Sequence, residues 1–173
     1  MSGLFTVYPS IKTLGVLYLL VSVAAMIVAH DAHFYWSHRL LHHRLLFSRF
    51  HRAHHKSVTP TTFACLAFHE GEAFVQGLFL PLWLIVVPMQ LAGLIIALTL
   101  MLVRTALGHS GVELFPARVA GRWLVTNTHH DLHHMTGHHN YGLYFTFWDR
   151  LMSTEHPTSE RKAGATVPIS LGA

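Results

Sequence analysis

The sequence predicts an all-α integral membrane domain in which a cytoplasmic helical cap holds a histidine-rich dimetal site. Three observations predict it. Several apolar stretches are long enough to cross a bilayer. Charged residues make up only 12% of the chain against 51% hydrophobic residues, too apolar for an ordinary soluble domain. The 17 histidines gather mainly outside the apolar stretches. At 173 residues the chain is one domain by size. We assign residues 1–155 to that domain and 156–173 to a polar, proline-containing tail that is expected to be loose.

Pro9-Ser10 reads as a helix start. From Ile11 to Ala29 the only charge is Lys12, and a span needs about 20 such residues. A signal peptide is the rival reading, but no basic leader precedes this stretch and cleavage near Ala29 would fall against the first histidine pair. Beyond Ala29 the pattern continues without Gly or Pro through Leu46, which predicts one long helix that leaves the membrane with His38 and His42 on its protruding end. Thr59-Pro60 breaks the pattern. A second apolar stretch over 63–87 and a third over 91–107, separated by Pro88-Met89-Gln90, complete three expected spans, with Pro81 a candidate kink. Such a hairpin returns His109 to the side of His38–His55. Gly111, Pro116 and Gly121 then mark a loop, and 119–128 is expected to begin a helix running into His130–His134. Residues 138–142 read as a turn. Residues 145–152 read as a short interfacial element anchored by Phe147 and Trp148.

The formal charge is +4 without the histidines. No basic stripe stands free of apolar spans, so membrane rather than nucleic acid is the implied surroundings. Of the 12 Lys and Arg, only Lys12 lies clearly at the far end, which places the histidine side in the cytoplasm, of a bacterial inner membrane or the endoplasmic reticulum. The single Cys65 rules out an internal disulfide and reads as a small buried apolar residue.

The segment His38–His55, HRLLHHRLLFSRFHRAHH, organises the rest. His38 and His42 are four apart. His51, His54 and His55 form H-x-x-H-H, and the pattern returns as His130, His133 and His134. On a helix, positions i, i+3 and i+4 share a face, so each pattern is expected to aim its imidazoles at one point. So many histidines packed apolar and unpaired are costly.

These residues resemble the membrane-bound fatty acid hydroxylase/sterol desaturase superfamily. The matching pieces are Asp31…Tyr35-Trp36…His38-Arg39…His42, FHRAHH (50–55), HSGVELFP (109–116), HDLHH (130–134) and NYG…FWDRL (140–151). The resemblance adds His109 and makes nine box histidines. Nine exceed the four ligands of a closed structural zinc site, so two metals share them. Imidazole suits Fe, Zn, Cu and Ni alike, and the Glu-x-x-His pattern of soluble di-iron bundles is absent from the sequence. Two ferrous ions, with O₂ as co-substrate, are what the resemblance implies. The implied activity is hydroxylation or desaturation at a C–H bond of a membrane lipid: a sterol, a fatty acyl chain or a related lipid. An acyl-lipid desaturase of the separate membrane desaturase family shares the box style, but HSGVELFP and NYG…FWDRL weigh against it. A metal transporter or storage protein is expected to carry its ligands inside the spans; here they lie outside.

The resemblance also singles out His69 and Glu72, where the family often places a His-x-x-Glu pair, as an additional ligand or a supporting residue. Fatty acid hydroxylases of the family can show His-x-x-x-His in the third box; Thr105 takes the place of that first His. Asp31 and Tyr35 lie on the helical face of His38, as suits partners that orient an imidazole.

No dinucleotide fingerprint, haem-attachment motif or iron–sulfur ligand set occurs in the sequence, and no bound haem or flavin is expected. Electrons are therefore expected from a separate donor, a ferredoxin or cytochrome with its reductase, steered to a basic face that includes Arg44, Arg49, Arg52 and Lys56.

Overall fold

The computed structural model of the chain describes residues 5–56, 62, 69–113 and 122–159. Helix α1, Gly15–Leu41, is the spine. Its 27 residues rise about 40 Å, more than the roughly 30 Å of a bilayer's hydrocarbon core. Its C-terminal end therefore has length to spare, and His38 lies there with His42 as its C-cap. The helix ends at Leu41 rather than Leu46. A turn leads to the single helical turn α2 (Arg44–Leu46), then to a wide π-helical turn, Phe47–His51, and a 3₁₀ turn, His54–Lys56.

The chain continues through α3 (Glu70–Gly77) and α4 (Phe79–Val86), a two-residue strand β2 (Met89–Gln90) and α5 (Leu91–Gly108). Among the described residues, two helices, α1 and α5, are long and apolar enough to cross a membrane, where three spans were expected; residues 63–68 of the second lie outside the described residues. Within the second apolar stretch, α3 and α4 are separate pieces of eight residues each, about 12 Å apiece. Pro81 explains the break, because it has no N–H to bond the Gly77 carbonyl four residues back.

At the end away from the histidines, β2 pairs in parallel with β1 (Val7–Tyr8). This short ladder was not expected of an all-α chain. The buried Gln90 Nε2 donates to the carbonyls of Ile11 and Gly15 at 2.9 and 3.1 Å, tying the start of α1 to the start of α5. Between the two helices Met26, Phe79, Met89 and Ala97 form the apolar core. Elsewhere α1 and α5 expose Leu17, Leu20, Val21, Ile95 and Leu102 to the surroundings, as a lipid-facing surface does.

Residues 122–126 are not helical. Residues 122–123 form a turn, Leu124 is bridged to Phe145, and α6 (Asn127–Thr136) begins only at its Thr126 cap. A capping box explains the late start: Thr126 N–H donates to His129 Nδ1 at 3.2 Å, and Thr126 Oγ1 lies 2.8 Å from the same nitrogen. Gly137, with φ +68, closes α6 in the left-handed conformation. The turn expected over 138–142 is present, with Asn140 at φ 57, and α7 (Phe147–Leu151) follows. The first tail residues are packed rather than loose: Ser159 is fully buried, and the His156 N–H donates to Asn140 Oδ1 at 2.9 Å. Cys65, Pro116, Gly121 and the tail beyond Ser159 lie outside the described residues.

Candidate metal centre

All nine box histidines meet between the end of α1 and the middle and last turn of α6. Their ligand nitrogens form two groups. His38, His42, His51, His55 and His133 make one; His54, His109, His130 and His134 make the other, and within each the nitrogens lie within 4.8 Å of one another. Each H-x-x-H-H box therefore feeds both groups instead of aiming at one point. The i and i+4 members stay together (His51 with His55, His130 with His134), while the i+3 member crosses over. Helical geometry supplies the reason for α6: neighbouring residues such as His133 and His134 point about 100° apart, whereas i and i+4 diverge by only about 40°. The segment at 51–56 reaches the same division by a different backbone, a π turn followed by a 3₁₀ turn.

The Nε2 atoms converge. His38 to His51, His51 to His55 and His42 to His55 are each 3.1 Å, and His55 to His133 is 3.2 Å. In the second group His109 lies 3.0 Å from His130 and 3.4 Å from His54, and His130 lies 3.1 Å from His134. Nitrogens held about 2.1 Å from a common ion, at angles between a right angle and the tetrahedral one, lie about 3.0–3.4 Å apart. The donor set thus fits one metal ion in each group.

The other ring nitrogens explain why Nε2 faces inward. His38 Nδ1–H donates to the Tyr141 carbonyl at 3.0 Å, His109 Nδ1–H to the Thr105 carbonyl at 2.8 Å, and His133 Nδ1–H to the His139 carbonyl at 2.7 Å. With Nδ1 carrying the proton, each of these neutral rings presents a bare lone pair at Nε2. Lone pairs crowded nose to nose repel unless a cation lies between them. His51 Nδ1 stands 2.9 Å from Glu72 Oε1, and burial pushes that carboxyl up to about 8; a cation bound beyond the imidazole would favour its ionised form instead.

Burial keeps the rings unprotonated. It holds His54 down to about 2, His51 to about 3 and His55 to about 4, and the neighbouring imidazoles push His54 and His51 the same way. His42 falls to about 2, and His130 and His133 lie well below 6.5, again through burial first and the adjacent imidazoles second. Neutral imidazole is the form that ligates metal.

The remaining candidates sit elsewhere. His69 caps the start of α3, its Nδ1 accepting from Gly71 N–H at 3.1 Å; it is exposed and belongs to neither group. Asp31 and Tyr35 do not touch an imidazole of the centre but tie α1 to the C-terminal loop. Asp31 Oδ1 accepts from the Tyr144 and Phe145 amides at 2.8 and 3.3 Å, and Tyr35 Oη meets Thr154 Oγ1 at 2.9 Å. Arg104, with no role assigned from sequence, donates from Nη2 to the Val125 carbonyl at 2.6 Å. Thr105, where the family can carry a histidine, supplies a carbonyl to His109 instead.

Sequence reasoning missed Asp149 and Asn140. Asp149 accepts from the Tyr141 and Gly142 amides at 2.9 and 2.8 Å and so holds the loop whose carbonyl orients His38. Asn140 Nδ2 donates to the carbonyl of His129 at 2.9 Å, locking the same loop to α6. Both lie in the NYG…FWDRL segment, where a buried aspartate among aromatics was the available signal.

A fatty acid hydroxylase family model matches residues 23–154. The chain is similar to lathosterol oxidase of Mus musculus, 38% identical over 146 residues, 84% of this chain and 48% of that protein. It is also similar to Delta(7)-sterol 5(6)-desaturases of Gibberella zeae, 33% identical over 82% of this chain and 44% of that protein, and of Schizosaccharomyces pombe, 30% identical over 86% and 48%. The chain spans about half the length of these curated relatives. No solved structure matches it. The family match covers most of the chain, both histidine groups included, and the chain belongs to the fatty acid hydroxylase family.

Proposed function

We propose that this chain is the metal-bearing part of an O₂-dependent oxidoreductase that hydroxylates or desaturates a membrane lipid, with two iron ions held by the nine histidines. The observation that carries the reading is the convergence of nine Nε2 atoms on two points. Irons bound there would supply the activation of O₂ and the removal of hydrogen from an unactivated C–H bond. The chain's own part is to hold, orient and enclose. The Tyr141, Thr105 and His139 carbonyls and Glu72 fix the ring orientations. Burial of His51, His54, His109, His130, His133 and His134 keeps bulk water from the centre.

Because the relatives are named as a lathosterol oxidase and sterol desaturases, a sterol-like lipid is the substrate class we favour over a simple acyl chain. We further propose that the histidine end faces the cytoplasm, of a bacterial inner membrane or the endoplasmic reticulum. A separate ferredoxin or cytochrome with its reductase then delivers electrons at the exposed Arg44, Arg49, Arg52 and Lys56.

Lipid extracts from cells with and without the gene, compared by mass spectrometry, test the reading. It expects a lipid that gains one oxygen or loses two hydrogens, absent again with His54→Ala. Identical lipid profiles from cells holding metal-loaded protein would refute it.

A further inference from the structure

A cavity of about 200 Å³ lies beside α5, lined by apolar side chains such as Leu107, Leu124 and Phe145 together with Arg104, Tyr144 and Glu113, whose Oε2 accepts from Thr128. A smaller recess next to it is lined by His109 and His130, and the two spaces share Arg104 and Val125 as walls. Arg104 therefore stands between an apolar space and the second histidine group.

Its donor capacity is largely unspent. A guanidinium carries five N–H donors, and among the described residues Arg104 makes one hydrogen bond, from Nη2 to Val125. Its Nη1 end lies flat over Gly108, where an added Cβ would come within 3.0 Å. Arg104 is half-buried and lines both spaces, so donors beyond the one bonded to Val125 are open to an acceptor that enters them. The cavity is smaller than the roughly 300–1,000 Å³ of pockets that enclose a whole ligand, so it suits one part of a lipid and not all of it.

Resting on the reading above, we propose that this cavity seats the apolar portion of the substrate and that Arg104 donates to an oxygen of that lipid, a hydroxyl or carboxylate close to the carbon that is oxidised. Arg104 is then a specificity-determining residue. It selects lipids with an acceptor near the reacting carbon over hydrocarbon of the same shape.

Photocrosslinking tests this without turnover. Metal-loaded full chain in bilayers is irradiated with diazirine-bearing probes: a sterol with a free hydroxyl, its deoxy analogue lacking that oxygen, and a long-chain fatty acid. Adducts are expected on peptides carrying Leu107, Leu124–Asn127 or Tyr144–Phe145. The sterol and fatty acid arms show which oxygen-bearing lipid is preferred. The hydroxyl sterol should outcompete its deoxy analogue about tenfold, the worth of one good hydrogen bond to a charged donor. Arg104→Met should bring the two sterols level, whereas general misfolding would lower both. Leu124→Trp should abolish cavity adducts while Leu124→Ala keeps them, with metal content reporting the fold of each variant. Adducts confined to the exposed faces of α1 and α5, or an unchanged sterol-to-deoxysterol ratio in Arg104→Met, would overturn the proposal. Either result leaves the function reading to its own lipid-extract test.

Discussion

His38 and Tyr141 are 103 residues apart in sequence, and the imidazole Nδ1–H of the first donates to the carbonyl of the second across 3.0 Å. This contact fixes the tautomer of that ring, and Asp149 supports it by accepting from the Tyr141 and Gly142 amides. Asp149→Ala leaves two buried amides without their acceptor. The expected loss is about 3 kcal/mol of stability, together with weaker metal binding at the His38 group. Thermal unfolding and metal content, measured in detergent on the same samples, check this; an unchanged midpoint would mean that another group anchors the loop.

Glu72 stands behind His51 at 2.9 Å. Glu72→Leu removes the oxygen that steadies that ring, and loss of such supporting partners costs about 10–100-fold in metal affinity. Competition with a chelator measures the effect. The His54–His109–His130–His134 group should keep its metal, since Glu72 touches none of its rings.

The i+3 crossover makes the two groups separable. His54→Ala should release metal from one group and His55→Ala from the other, each variant retaining about half the wild-type metal. Spectra of cobalt-substituted variants should differ accordingly. Identical spectra from the two variants would place both histidines on the same ion.

Acid should strip the centre. In the folded chain burial holds His51, His54 and His55 near 3, 2 and 4, against an ordinary 6.5. Between about pH 6.5 and those values the unfolded chain binds more protons than the folded one, so stability falls as pH falls through that window and is flat above it. Metal affinity follows the same direction, because protons compete for the same nitrogens. Dialysis from pH 8 to pH 4 should show full retention above pH 7 and progressive loss below about 6. Retention unchanged at pH 4 would speak against imidazole ligation.

Gly142 packs against the same loop. A Cβ there would meet the Phe145 carbonyl at 2.7 Å and Asp149 Oδ2 at 2.9 Å. Backbone offers no easy retreat, so Gly142→Ala should cost about 1–3 kcal/mol, read as a lower unfolding midpoint.

The clustering of the nine histidines was legible because histidine is rare and the i, i+3, i+4 spacing survives any local backbone that keeps a helical turn. The division into two groups was not, since it depends on His54 and His55 diverging within a 3₁₀ turn that periodicity does not foretell. The long α1 followed from its apolar run, and the break at Leu78 falls beside the kink expected at Pro81. Asp31 was noticed on the right face but assigned to an imidazole; its actual partners are amides more than a hundred residues away, which helical spacing cannot reveal. The same holds for Asp149, whose role depends on tertiary contact.

The central claim is a pair of metal ions held by histidine. Elemental analysis of the anaerobically purified full chain, quantified against amino-acid analysis, tests it most directly. The two nitrogen groups predict about two irons per chain, falling sharply in the double variant His54→Ala with His133→Ala, which removes one ligand from each. A ratio near one, or a double variant that retains all of its metal, would contradict the account.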